Sequence, residues 1–207
     1  MKVYLYVLNT MADWEIGFLT AELNSKRYFK DKNVEVKIIK VGKSNKSITT
    51  MGGFIIQPDI SIESIRFKKD DILILPGADT WLEDENKEIL AIAKKRIENN
   101  LKVAAICGAT IGLAKEGVLN CIKHTSNDKN FLKMVCPNYT GEELYQNIPA
   151  VTDKKLVTAS GIAPIEFTYE VLKLLDVFKN NTLESWYNLY ITKEVNYFYE
   201  LINSIKK

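Results

Sequence analysis

The apolar positions of this chain fall into two alternating rhythms. Short runs rich in Val, Ile and Leu stand at Val3–Leu8, Val34–Val41, Ile72–Leu75, Val103–Ile106 and Leu156–Ala159. The first, third and fourth are almost unbroken, as a parallel strand reads when both its faces are covered. Between the runs the spacing becomes helical. Glu15–Phe29 carries Ile16, Leu19 and Leu23, and Asn86–Asn99 sets Ile89, Leu90, Ile92, Ala93 and Ile97 on a stripe opposite Lys94, Lys95 and Glu98. Ile111–Val118 and Ile165–Leu175 continue the series, the latter just after Pro164, a residue suited to a helix's first turn. Strands alternating with helices predict an α/β fold, a doubly wound and mostly parallel sheet with helices on both faces. Met51–Pro58 predicts a β-turn and a short strand pair beside that sheet.

The final stretch, Leu183–Lys207, places Trp186, Tyr187, Leu189, Tyr190, Tyr197, Phe198 and Leu201 in one or two amphipathic helices. Such an aromatic stripe either caps the sheet or forms a dimer face. With no internal repeat, linker or low-complexity tract, residues 1–207 are expected to be a single domain, with residues 183–207 as a helical C-terminal extension packed on it.

Composition narrows the function classes. The 28 basic and 26 acidic residues nearly balance, for a net charge of +2, which gives no reason to expect a nucleic-acid or anionic-membrane partner. No apolar run approaches the roughly 20 residues of a membrane span. The N-terminal Met1–Asn9 lacks a small-residue cleavage site and reads as a first strand instead of a signal peptide. Cys107, Cys121 and Cys136 are an odd number without CxxC spacing, which argues against a disulfide framework or a zinc site and for a reducing, cytoplasmic setting. A single histidine, His124, cannot build a multi-histidine metal centre, so neither metal nor cofactor is expected.

The candidate chemistry centres on Cys107. It stands between the run ending at Ile106 and a helical pattern beginning after Gly108, with small Ala105 and Ala109 on either side. A sharp strand-to-helix turn of this kind pushes one side chain out at the sheet edge, and a helix N-terminus favours its thiolate. Leu75-Pro76-Gly77 ends the preceding strand, and ligands of open α/β sheets bind beyond such carboxyl ends. The amides of Gly77 and Gly108 could then form an oxyanion hole, unless Pro76-Gly77 is only a turn. Glu15 opens the first helix, where an acid is favourable on its own account, yet from there it can reach the thiol and tune its pKa. His124 precedes a helix capped by Thr125 or Ser126. It is either structural or the imidazole partner of Cys107. Gly42-Lys43-Ser44 lacks the upstream glycine of a phosphate loop, and Cys121 and Cys136 read as buried small residues.

Taken in order, Glu15, Leu75-Pro76-Gly77, Ala105-Ile106-Cys107-Gly108-Ala109, His124 and Thr158-Ala159-Ser160-Gly161 resemble the ThiJ/PfpI superfamily (the DJ-one family) of the class I glutamine amidotransferase-like fold. The resemblance covers roughly residues 1–178. It implies a flavodoxin-like three-layer sandwich, a homodimer, and a reactive cysteine: Cys107 as nucleophile, Glu15 its hydrogen-bonded carboxyl, His124 the nearby imidazole, Gly77 and Gly108 the amide donors. Two departures matter. Protease-like members carry a histidine directly after the cysteine, where this chain has Gly108, and no histidine follows His124 to make the late His-x-Glu pair of a glutamine amidotransferase. The expectation is a cysteine-dependent enzyme acting on a small carbonyl or amide substrate, of hydrolase, amidase, glyoxalase or deglycase type. The alternative is an oxidative-stress sensor or chaperone without turnover.

Overall fold

The computed structural model describes residues 1–206; Lys207, the last residue of the expected extension, lies outside them. In chain order the elements are β1 (Lys2–Tyr6), α1 (Asp13–Ser25), β2 (Lys37–Gly42), β3 (Ile48–Thr49), β4 (Ile55–Ile56), β5 (Ile60–Ser61), β6 (Ile72–Leu75), α2 (Lys87–Glu98), β7 (Val103–Ile106), α3 (Gly108–Lys115), α4 (Lys129–Val135), β8 (Ala150–Asp153), β9 (Leu156–Ala159), α5 (Pro164–Leu175), α6 (Asn180–Thr192) and α7 (Val195–Ser204).

The main sheet runs β5-β2-β1-β6-β7-β9-β8. Every neighbouring pair is parallel except β8 with β9. The five long parallel strands follow the flavodoxin order, first strand between second and third, so the chain reverses its winding between β1 and β6. Registers such as Leu75↔Ala105 and Ile106↔Ala159 align the carboxyl ends of β6, β7 and β9. Each residue of β6 and β7 is buried, as the unbroken apolar runs require. α1 packs on α5 and α5 on α6, while α2 packs on α3, completing the three-layer α/β sandwich.

Differences from the sequence reading have local causes. The first helix begins at Asp13 and ends at Ser25, because Lys26 turns left-handed at φ 53° and donates its N–H to the Glu22 carbonyl. The elbow helix starts directly at Gly108, three residues ahead of the apolar pattern. The short pair predicted within Met51–Pro58 forms between Ile48–Thr49 and Ile55–Ile56, with the turn between them. β8 escapes the pattern because it is an edge strand with one buried residue, Val151. At the C-terminus α6 caps the helical layer. Its Trp186 is fully buried, donates to Glu22 Oε1 at 3.0 Å and meets Phe18 edge-on, whereas α7 leaves Val195, Phe198 and Tyr199 exposed. Among the described residues no helix is long and apolar enough to cross a membrane.

Candidate active site

The turn from β7 into α3 holds Cys107 at φ 57° and ψ −126°. A non-glycine residue there is strained by roughly 1–3 kcal/mol, so neighbouring bonds must hold it. The Cys107 N–H extends the β7–β9 ladder to the Ala159 carbonyl at 3.0 Å. Its carbonyl accepts from the Thr110 N–H at 3.0 Å and the Thr110 hydroxyl at 2.6 Å, and that hydroxyl lies 2.7 Å from Ser126 Oγ. The side chain is left half-buried at the head of α3, the elbow anticipated from the sequence.

Glu15, one turn into α1, is completely buried below this elbow. The Gly77 N–H donates to its Oε2 at 2.6 Å. Its Oε1 has no conventional hydrogen-bond partner among the described residues and stands against the Cys107 side chain. Two glycines close the space. A Cβ on Gly77 would lie 2.5 Å from Oε2 and 2.6 Å from Cys107 Cβ; one on Gly161 would lie 2.7 Å from Sγ and 3.1 Å from Oε1. Burial pushes the Glu15 carboxyl above its usual pKa, against the opposing hydrogen bond from Gly77. Burial also pushes the Cys107 thiol up. The Asn127 hydrogen bond and the Gly108 amide oppose that rise, and the Glu15 charge adds to it.

Asn127 is a neighbour of the thiol that the sequence reading missed. Its Oδ1 accepts the Gly161 N–H at 2.8 Å, which fixes the amide so that Nδ2 donates to Cys107 Sγ at 3.2 Å. No periodicity marks an asparagine in the polar run Thr125-Ser126-Asn127-Asp128, so only the three-dimensional neighbourhood identifies it.

His124 requires a correction. It does not partner the thiol; its ring is fully buried with both nitrogens occupied. Nδ1 pairs with the Ile122 carbonyl at 2.7 Å and Nε2 with the Tyr139 hydroxyl at 2.6 Å, the ring edge-on to Tyr139 and Tyr145. A carbonyl can only accept, so Nδ1 carries the proton and Nε2 accepts from Tyr139. The following helix is capped by Asp128, whose carboxylate accepts the Phe131 N–H at 2.7 Å, and not by Thr125 or Ser126. The Gly77 amide is likewise drawn to Glu15 instead of an open point, which leaves Gly108 as the backbone donor beside the sulfur.

Burial holds the His124 pKa below its ordinary value, with the Ile122 carbonyl opposing. The unfolded chain therefore binds a proton below about pH 6.5 that the native imidazole refuses, so its contribution to stability is present above that pH and lost as pH falls. His124→Gln is expected to flatten the stability loss between pH 7 and pH 5 in urea unfolding while leaving the Cys107 alkylation profile unchanged. An altered alkylation profile would return the imidazole to the thiol.

These features define a class: a doubly wound α/β protein with a cysteine elbow beside a buried carboxyl at the sheet's carboxyl edge. The comparisons narrow it further. Residues 1–174 match the model of the DJ-1/PfpI family, and the chain belongs to that family. It is 54% identical over 206 residues to a Bacillus subtilis protein called "Uncharacterized protease YoaZ", covering 100% of this chain and 98% of that one. It is 35% identical over 177 residues to "Uncharacterized protease YdeA" of the same organism, covering 84% and 83%. The crystal structure of a thiJ/pfpI family protein from Bacillus anthracis superposes with TM-score 0.96 at 53% identity, covering 100% of this chain and 97% of that one.

Proposed function

We propose that this protein is an enzyme that uses Cys107 as a nucleophile toward a small carbonyl or amide compound. The observation that carries this reading is a half-buried thiol on a strained elbow beside a buried carboxyl whose Oε1 has no conventional partner. Both pKa values are raised by burial, so the pair retains a proton that either group can hold. When a carbonyl carbon meets the sulfur, the thiol proton passes to Glu15, the C–S bond forms, and the carbonyl π pair moves onto oxygen. The Gly108 N–H and the Asn127 side-chain amide serve as donors to that oxygen. Glu15 then returns the proton. With an α-oxoaldehyde it goes to the hemithioacetal oxygen. Glu15 then moves the C1 proton to C2 through an enediol, and water cleaves the resulting α-hydroxy thioester to release the hydroxy acid and the thiol. With an amide the returned proton goes to the departing amine as the C–N bond breaks, and water cleaves the resulting thioester to restore the thiol.

The names of the two Bacillus relatives support an amide-cleaving member of this class, while Gly108 in place of a histidine sets the site apart from the family's protease-like pattern. Purified protein assayed with methylglyoxal and with small amides, beside Cys107→Ala, tests the reading. The variant is expected to lose at least about a hundredfold in rate, the usual scale for removing a nucleophile; equal rates overturn it.

A redox-sensing role would draw on the same thiol, but burial holds Cys107 against ionisation while Cys121 is exposed. Mass spectrometry after mild peroxide separates the two readings. Cys121 oxidising while Cys107 stays unmodified counts against the sensor.

A further inference from the structure

Beside the thiol, on the far side of Asn127, lies a cavity of about 360 Å³. Asn127 and Ser160 belong to both places. Asn127 lines the cavity while donating to Cys107 Sγ, and Ser160 lines it one residue before Gly161, on which a Cβ would lie 2.7 Å from the same sulfur. The other lining residues are uncharged, Thr125, Ser126, Tyr145 and Asn147 among them, with Ile148 and Ile162 exposed to solvent. The exception is Glu166, in the first turn of α5.

Nearby carboxylates are engaged. Glu170 accepts from the Thr152 hydroxyl at 2.5 Å, Glu184 from the Tyr169 hydroxyl at 2.5 Å, and Asp128 caps α4. Half-buried Glu166 has neither an ion pair nor a hydrogen bond among the described residues. Lys123 and Lys173 line an adjoining groove along β8, which shares Ile148 with this cavity, and do not line the cavity itself. The helix start itself favours anions, but Pro164 at its head brings no N–H, and Glu166 offsets the remaining dipole. An anion would meet a carboxylate that has no cation paired with it among the described residues. A cation would find its counter-charge at Glu166 among uncharged polar residues. The volume is at the lower end for small-molecule sites, roughly 300–1,000 Å³, and suits a compound of amino-acid size.

We infer that this cavity is the specificity pocket of Cys107 and that Glu166 selects carbonyl or amide compounds bearing an ammonium or guanidinium group. The inference rests on Cys107 being the reactive group, but its test needs no turnover. The probes are two methanethiosulfonates with arms of the same two-carbon length, one ending in an ammonium and one in a sulfonate. Each transfers its thioalkyl arm to a cysteine thiolate and releases methanesulfinate. Peptide mass mapping reads both rates at Cys107 and at exposed Cys121, which reports the bulk charge effect.

The cation-to-anion rate ratio at Cys107 is expected to exceed that at Cys121 by at least about fivefold, the scale of one partly screened charge pair. Glu166→Gln brings the two ratios together and Glu166→Lys inverts the preference. Glu170→Gln, outside the cavity, leaves it unchanged. Asn147→Lys, on the exposed opposite rim, supplies a counter-charge without touching α5 and gives the same loss should Glu166 variants fold poorly. Equal ratios at the two cysteines in the unaltered protein, or an unaltered ratio in Glu166→Gln, overturn the inference. The assay with methylglyoxal and amides stands apart. Its failure with the rate preference intact removes the enzymatic reading alone, and a lost preference with activity intact removes the charge selection alone.

Discussion

Gly77→Ala is expected to silence Cys107 while leaving the sheet folded. The added methyl would stand 2.5 and 2.6 Å from the two Glu15 carboxylate oxygens and 2.6 Å from Cys107 Cβ. Neither neighbour can withdraw cheaply. The carboxyl is completely enclosed, and the Cys107 backbone is tied into the elbow through Ala159 and Thr110. Relief requires the thiol and carboxyl to separate by something near an ångström, a misplacement that costs about a hundredfold in rate. The overpacking should cost about 1–3 kcal/mol of stability. Iodoacetamide alkylation of Cys107, followed by peptide mass, and urea unfolding read the two effects. Gly17→Ala is the control: apart from its chain neighbours and its own helix backbone, nothing lies within 4 Å of its Cβ position on α1, and it should leave the alkylation rate alone. Unchanged alkylation and unchanged stability in Gly77→Ala would show that the methyl has room the structure denies it.

Glu15→Gln should produce a split result, a more reactive thiol and a poorer catalyst. Beyond the burial of the thiol, the nearby carboxylate raises its pKa through charge. In the variant the amide oxygen takes the Gly77 N–H, turning the amide nitrogen toward the sulfur, where it donates to a thiolate. The midpoint of alkylation rate against pH should fall by about one unit or more, the usual effect of removing a neighbouring negative charge. Turnover should fall over the same range, because an amide cannot accept and return the thiol proton. An unmoved midpoint would mean that the carboxyl and the sulfur do not sense each other.

How much of this was legible in the chain differs by residue. The elbow was, because a continuous apolar run ending at a lone thiol among small residues has few other meanings. Glu15 was, because its place just after the first strand puts it at the reversal point between β1 and β6 whatever its rotamer. Asn127 was not, since its importance comes from the loop after α3 folding back over the sulfur and meeting Gly161. Reasoning by elimination to the sole imidazole misled for a related reason: nothing in the spacing of His124 foretells its burial between Tyr139 and Tyr145. The Gly77 amide was expected to face the sulfur, and its true acceptor depends on where the Glu15 carboxylate turns. β8 stayed hidden because Ala150–Asp153 pairs on one side only and needs no unbroken apolar run.

The long-range ties around Cys107 have a kinetic consequence. Trp14 and Gly161 meet across 147 chain positions, and Glu15 reaches Gly77 across 62. Closing loops of that length is slow, and no local segment contains the enclosure by itself. During refolding, or on a chain emerging from the ribosome, Cys107 stays an ordinary cysteine until β9 and the start of α5 have joined the sheet. The time course of its shielding from a fast thiol reagent is therefore a clock for the completion of the fold.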